Sequence, residues 1–170
     1  MSMSHKAYAF DWLCFDVELA PLLRCALSTN DRAPLVEFIH RERLNLTDPY
    51  EGQPLSIDWE STLEKGDVQE LGDLAITRYY NVVEDYGLGD SWIALSDALP
   101  GEDANALLGT PFCEGERYFD PGYQGAYFQS PTMVRQFYSI LRSNMLSELA
   151  SYVALLAHCA SKDIGVYVTF

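Results

Sequence analysis

Basic residues are scarce in this chain. Eleven Lys and Arg stand against 25 Asp and Glu in 170 residues, giving a formal net charge of −14. Phosphate backbones are gripped by clustered Lys and Arg, so the balance argues against general DNA or RNA binding. The same charge opposes docking on anionic membranes. Long apolar runs are missing too. The most apolar stretch, Leu149 to Ala160, is too short to span a bilayer and contains Ser151 and His158. Asp11 and Asp16 interrupt the apolar residues near the start, and no small-residue cleavage site follows, which argues against a secretory signal. The cysteines, Cys14, Cys25, Cys113 and Cys159, form no C-x-x-C pair and read as free thiols in a reducing cytoplasm. There is no H-E-x-x-H, no P-loop and no paired-cysteine zinc signature, so no metal or other cofactor is expected. Gly87-Leu88-Gly89 lacks the third glycine of a dinucleotide fingerprint and follows a predicted helix, not a strand.

What is present describes a folded object. Hydrophobic residues make up 48% and charged residues 21%, a globular composition. A chain this size buries roughly 70% of its unfolded surface, enough for one domain over residues 1–170 without metal or disulfide staples. Tyr8, Phe10, Trp12 and Cys14 alternate with period two and predict a strand. Leu19, Leu22, Leu23 and Ala26 predict a helix from about Val17, with Pro21 in its first turn, and Pro34 opens another. Residues 47–54 read as a loop. Asp58 can cap a short helix, Asp67 with Glu70 resembles a capping box, and Asp90 can cap a helix carrying Trp92, Leu95 and Leu99. Ala106 to Phe112 and Ala126 to Gln129 read as strands around the long loop CEGERYFDPGYQG. Ser130-Pro131 starts a helix with Val134, Phe137, Tyr138 and Leu141 on one stripe. A further helix carries Met145, Leu149, Val153 and Leu156, with Asn144 as a possible break between the two, and IGVYVTF predicts a buried C-terminal strand. The expected class is α+β: a helical first half and a small mixed sheet that includes the C-terminal strand.

The order of several of these motifs resembles a known group. Gly87-Leu88-Gly89-Asp90-Ser91-Trp92 with Leu95 and Leu99 is followed by Leu108-Gly109 and a glycine- and tyrosine-rich loop. Then come Gly125-Ala126-Tyr127-Phe128 and Ser130-Pro131 with Val134. Over about residues 85–170 this is similar to the bacterial YfbM-like family of uncharacterised proteins. The N-terminal half, with its YAFD strand and STND turn, resembles another uncharacterised bacterial family. Thr132-Met133 stand where the YfbM-like pattern has an acidic pair, and the segment after Leu141 is shorter. The resemblance transfers no catalytic residue. Related families occur beside contact-dependent toxins, which implies an immunity-like role.

Three features are candidates for function. His5, His40 and His158 are the only general-base imidazoles. None is paired by sequence with a nucleophile, and satisfied or surface histidines are the expected reading. Residues 58–103 hold twelve Asp or Glu against Lys65 and Arg78, a local balance of −10, with Glu84, Asp85 and Asp90 around the glycine turn. Such a segment is a steering surface for a basic partner, a cation site, or a solvated face that keeps the protein soluble. The aromatic loop residues Tyr118, Phe119, Tyr123 and Tyr127, with Trp92, either anchor a ligand or cover the core. The leading expectation is a non-enzymatic, acidic, cytoplasmic protein-interaction module: an immunity-type inhibitor of a basic toxin or enzyme, monomeric or weakly dimeric. The alternative is a small-molecule-binding protein or hydrolase with a pocket near Trp92 and the 115–127 loop.

Overall fold

The alternation that opens the chain ends earlier than its period suggests. The computed structural model describes residues 3–113, 117–144 and 146–170, and its first strand, β1 (Lys6–Phe10), stops short of Trp12 and Cys14. Asp11 is the reason. Its carboxylate accepts from the Cys14 N–H at 3.1 Å and caps a helix, α1 (Trp12–Glu18), that turns Phe15 into the core. Helix α2 (Ala20–Thr29) follows with Pro21 in its first turn, and α3 (Ala33–Glu42) opens with Pro34. Residues 47–54 form a loop closed by a bridge between Thr47 and Pro54. The segment after Asp58 makes only a 3-10 turn, Trp59–Thr62. Asp67 caps α4 (Val68–Ile76), accepting from the Glu70 N–H at 2.9 Å.

The middle of the chain departs from its reading. Helix α5 (Trp92–Ala98) has Ser91, not Asp90, at its N-cap position. The predicted strand at 106–112 is a 3-10 run, Gly101–Leu107, followed by the two-residue strand β2 (Thr110–Pro111). Gly109 forces the change: its φ is +104°, and a Cβ there would lie 2.6 Å from the Phe128 carbonyl oxygen. Strand β3 (Ala126–Gln129) leads to α6 (Pro131–Leu141), which Ser130 caps by accepting from the Met133 N–H at 3.4 Å. Helix α7 (Ala150–Lys162) is separate from α6, and Met145, assigned to it from sequence, lies outside the described residues. So do residues 114–116 of the long loop. The final strand is β4 (Gly165–Thr169).

The strands form one sheet in the order β1-β4-β3-β2, with Lys6 opposite Thr169 and Phe10 opposite Gly165. The α+β class and the C-terminal strand are as expected, but every pairing is antiparallel and the sheet is not mixed. Two antiparallel helices, α6 and α7, connect β3 to β4. A helical hairpin reverses the chain once more than a single crossover helix does, so β4 returns antiparallel. Each face of the sheet takes its own cover. Tyr8, Phe10, Phe128 and Tyr167 point toward the layer of α1 to α4, and Phe15 stacks on Phe128 at 5.4 Å. Ala7, Val166 and Val168 point toward α6 and α7. The open edge of β1 is closed by residues 85–89: Tyr86 N–H donates to the Ala7 carbonyl at 2.8 Å, and His5 and Gly89 exchange both backbone bonds at 3.0 Å. Among the described residues no helix is long and apolar enough to cross a membrane.

Candidate functional site

Helix α4 gives one face to the core and another to a cleft. Gln69, Glu70, Asp73 and Leu74 recur at helical spacing and line a concavity of about 520 Å³. Its other walls come from distant parts of the chain: Asp48 to Tyr50, Thr62 to Lys65, and Tyr118 with Asp120 to Tyr123. Six carboxylates, those of Asp48, Glu64, Asp67, Glu70, Asp73 and Asp120, face one basic side chain, Lys65.

Most of these carboxylates already hold the backbone in place. Asp48 accepts from the N–H groups of Tyr50 and Glu51 at 2.8 and 2.7 Å, which fixes the turn. Asp67 caps α4. Glu70 does not complete a capping box; its carboxylate takes the N–H groups of Glu64, Lys65 and Gly66 at 2.7, 2.9 and 2.7 Å. Asp120 accepts from Gly125 N–H at 2.7 Å. Gln69 clamps the aromatic wall, donating to the Tyr118 carbonyl at 2.9 Å and accepting from Asp120 N–H at 2.8 Å.

Asp73 is different. It is deeply enclosed, and among the described residues nothing donates a hydrogen bond to it or forms an ion pair with it. Burial, reinforced by the charges of Asp48 and Glu70, pushes its carboxyl up to about 7. A carboxyl group with a perturbed proton affinity, lining a cleft, makes that cleft a candidate functional site. Aromatic side chains line the same cleft: Tyr50 is 65% exposed and Tyr123 82% exposed. Tyr123 is held at φ +56°, and the Lys65 ammonium lies 5.7 Å from its ring centroid. An acidic floor under aromatic rings is chemically suited to a cation.

The residues singled out from sequence divide between this cleft and other places. Tyr118 and Tyr123 line it, and Phe119 is wholly buried beneath them. Gly72 makes room for that anchor, since a Cβ there would lie 2.6 Å from the Phe119 ring. Glu84, Asp85, Asp90, Trp92 and Tyr127 are not among its lining residues. Glu84 is exposed and accepts from Asn81 at 2.9 Å. Asp85 accepts from the N–H groups of Ala7 and Gly87 at 3.0 and 2.8 Å, which makes it part of the β1 edge closure. Asp90 is exposed. Trp92 donates to the Met3 carbonyl at 2.8 Å and packs on Phe170, as does Tyr127. Sequence reasoning missed Asp48, Asp73 and Asp120. The 58–103 charge count includes Asp73 but does not single it out, and only the fold brings the other two beside it.

Nucleophilic chemistry finds no pair. His5 is buried, with Nε2 bonded to the Leu107 carbonyl at 2.7 Å and Nδ1 accepting from Leu88 N–H at 3.2 Å. His40 pairs with Glu60 at 2.9 Å, and His158 is exposed on α7. No described serine or cysteine side chain is hydrogen-bonded to any of them. Burial pushes the Cys159 thiol up to about 12, away from the reactive thiolate. Among the described residues no group of three or more His, Cys, Asp or Glu is arranged to hold a metal ion. Comparison with protein-family models, curated proteins and solved structures finds no match to this chain.

Proposed function

We propose that the protein is a non-enzymatic acidic interaction module that captures a basic protein, in the manner of an immunity-type inhibitor acting in a bacterial cytoplasm. The observation that carries this reading is the cleft over α4, where six carboxylates face a single lysine and, among the described residues, nothing donates a hydrogen bond to Asp73. The excess of 14 negative charges supports it, because a field of one sign steers an oppositely charged partner. The motif order similar to YfbM-like proteins, and the place of related families beside toxins, agree with it. A monomer or weak homodimer leaves the cleft free for such a partner. The alternative, a small-molecule binder, draws on the cleft's volume and on Tyr118 and Tyr123, although Trp92 is not in its walls. Hydrolysis has no nucleophile–base pair behind it among the described residues.

The test begins with capture from the native host at low and high salt, followed by binding kinetics with the purified partner. Glu64 and Glu84 are exposed, so Glu64→Lys with Glu84→Lys leaves the fold intact and weakens the steering field. The on-rate at low salt should fall about tenfold, and the difference should shrink as salt rises. Equal on-rates for the two proteins at low salt would refute the docking reading.

A further inference from the structure

We propose that the cleft over α4 seats one organic cation, an alkylammonium or guanidinium head carried on an apolar stem, with Asp73 as its counter-ion. This deepens the reading of the protein as an acidic interaction module and rests on it: the head group is that of a Lys or Arg side chain inserted by the basic partner.

Four observations lead to this chemistry. The first is the unsatisfied carboxylate. A carboxylate that its surroundings desolvate is costly to ionise unless something donates to it. Asp73 is part-buried, its oxygens still open on the cleft, and among the described residues nothing donates a hydrogen bond to it, so the cavity can admit a partner. The second is the company it keeps. Asp48, Glu70, Asp67 and Asp120 accept from backbone N–H groups, so they add negative potential without closing over Asp73. An anion is thereby excluded, and a lone cation is favoured. The third is the aromatic wall. Tyr50, Tyr118 and Tyr123 line the cleft, and aromatic rings suit an ammonium or guanidinium and its methylene stem. The fourth is Lys65, whose ammonium already rests over Tyr123 and acts as a resident competitor at the mouth of the cleft.

The seat has a built-in proton dependence. The groups around Asp73 are Asp48 from the 47–54 loop, Glu70 on its own helix, the phenols of Tyr50, Tyr80 and Tyr167, and, elsewhere in the cleft lining, Glu64, Lys65, Asp67 and Asp120. Burial above all, with the charges of Asp48 and Glu70 added to it, keeps a proton on its carboxyl up to about 7. The cation must displace that proton. Ionisation rises about tenfold between pH 6 and pH 8, and affinity should follow it.

The experiment uses the full chain and small probes: Nα-acetyl-lysine methylamide, Nα-acetyl-arginine methylamide, putrescine, and neutral Nα-acetyl-norleucine methylamide. Amide shifts of Asp73, Tyr118 and Tyr123 report where each probe binds, and calorimetry in two buffers reports proton release. The expected result is that the charged probes bind at these residues about tenfold more tightly at pH 8 than at pH 6, while the norleucine probe does not bind. Asp73→Asn should lose tenfold or more while remaining folded, and Lys65→Met should bind severalfold more tightly. Preference for the amino-acid probes identifies a partner side chain as the source, and preference for putrescine identifies a free amine. No binding by any charged probe, or undiminished binding to Asp73→Asn, overturns the proposal. The wider reading fails separately: it falls if the purified partner's on-rate is insensitive to the Glu64 and Glu84 reversals, whatever the probes do.

Discussion

His5 and Asp73 are both deeply enclosed titratable groups, yet the protein treats them in opposite ways. At His5 every polar atom is used: one ring nitrogen is bonded to the Leu107 carbonyl, the other accepts from Leu88 N–H, and the backbone pairs with Gly89. Its ring is packed by Tyr152 and Phe170, at 5.5 and 5.8 Å. Burial lowers its proton affinity, outweighing the Leu107 carbonyl and the Asp85 charge, so it is held neutral. At Asp73, among the described residues, nothing donates a hydrogen bond, and the charges of Asp48 and Glu70 repel it. A saturated buried group is architecture, because its energy comes from contacts within the chain. An unsaturated one is a reserve, because its energy awaits something outside.

The largest effect should come from breaking the saturated side. His5→Ala leaves the Leu107 carbonyl and the Leu88 N–H unpaired and opens a cavity between Trp92, Tyr152 and Phe170. The expected loss is about 3 kcal/mol in urea unfolding at pH 8. Wild-type stability should also fall in acid for the same reason. A histidine with lowered folded proton affinity contributes stability that is complete above its unfolded value of 6.5 and is lost as pH falls toward the folded one. The acid-side loss should be smaller in the variant.

Next in size is a change that reaches the cleft through its support. On propensity alone Gly72→Ala should stabilise α4 by about 1 kcal/mol. The added methyl, however, would sit 2.6 Å from the Phe119 ring and 3.0 Å from Leu23, both wholly buried. Overpacking should win, destabilising the protein by about 2 kcal/mol and shifting the Tyr118 to Tyr123 wall that Phe119 carries. Thermal unfolding together with probe binding checks both parts.

These two sites also show what the sequence could and could not disclose. Signals within one turn of chain were legible: Pro34, Asp67 and Ser130 open helices, and IGVYVTF supplies β4. Trp12 and Cys14 misled because a two-residue period survives into α1, where the Asp11 cap and the burial of Phe15 overrule it. The acidic excess of residues 58–103 spans α4, but the carboxylates it drew attention to lie outside the cleft. Glu84, Asp85 and Asp90 cluster in sequence, whereas Asp48, Asp73 and Asp120 meet only in space. The burial of His5 was hidden for the same reason: its partners lie at Leu88 and Leu107.

The smallest effect is the one that separates the two sites by sign. Removing a saturated buried group destabilises a protein, whereas removing an unsaturated charge should stabilise it. Asp73→Asn keeps the shape of the side chain and removes the ionisation that burial opposes. Below the unfolded value of 3.8 both proteins are neutral at this position, so they should be equally stable at pH 3.5. As pH rises from there to about 7, the unfolded wild-type chain sheds a proton that the folded one keeps, and wild type loses ground. Above that range the gap is constant. The complete shift would correspond to about 4 kcal/mol, but the side chain opens on a solvated cleft, so a gain of about 1 kcal/mol at pH 8 is expected. Urea unfolding of both proteins at pH 3.5, 6 and 8 measures it, and contributions from His5 cancel in the difference. A variant that is less stable than wild type at pH 8 would mean that Asp73 is satisfied within the chain and belongs with His5. A gain would show that the folded protein keeps this carboxyl at a cost to itself, as expected of a group whose partner binds from outside.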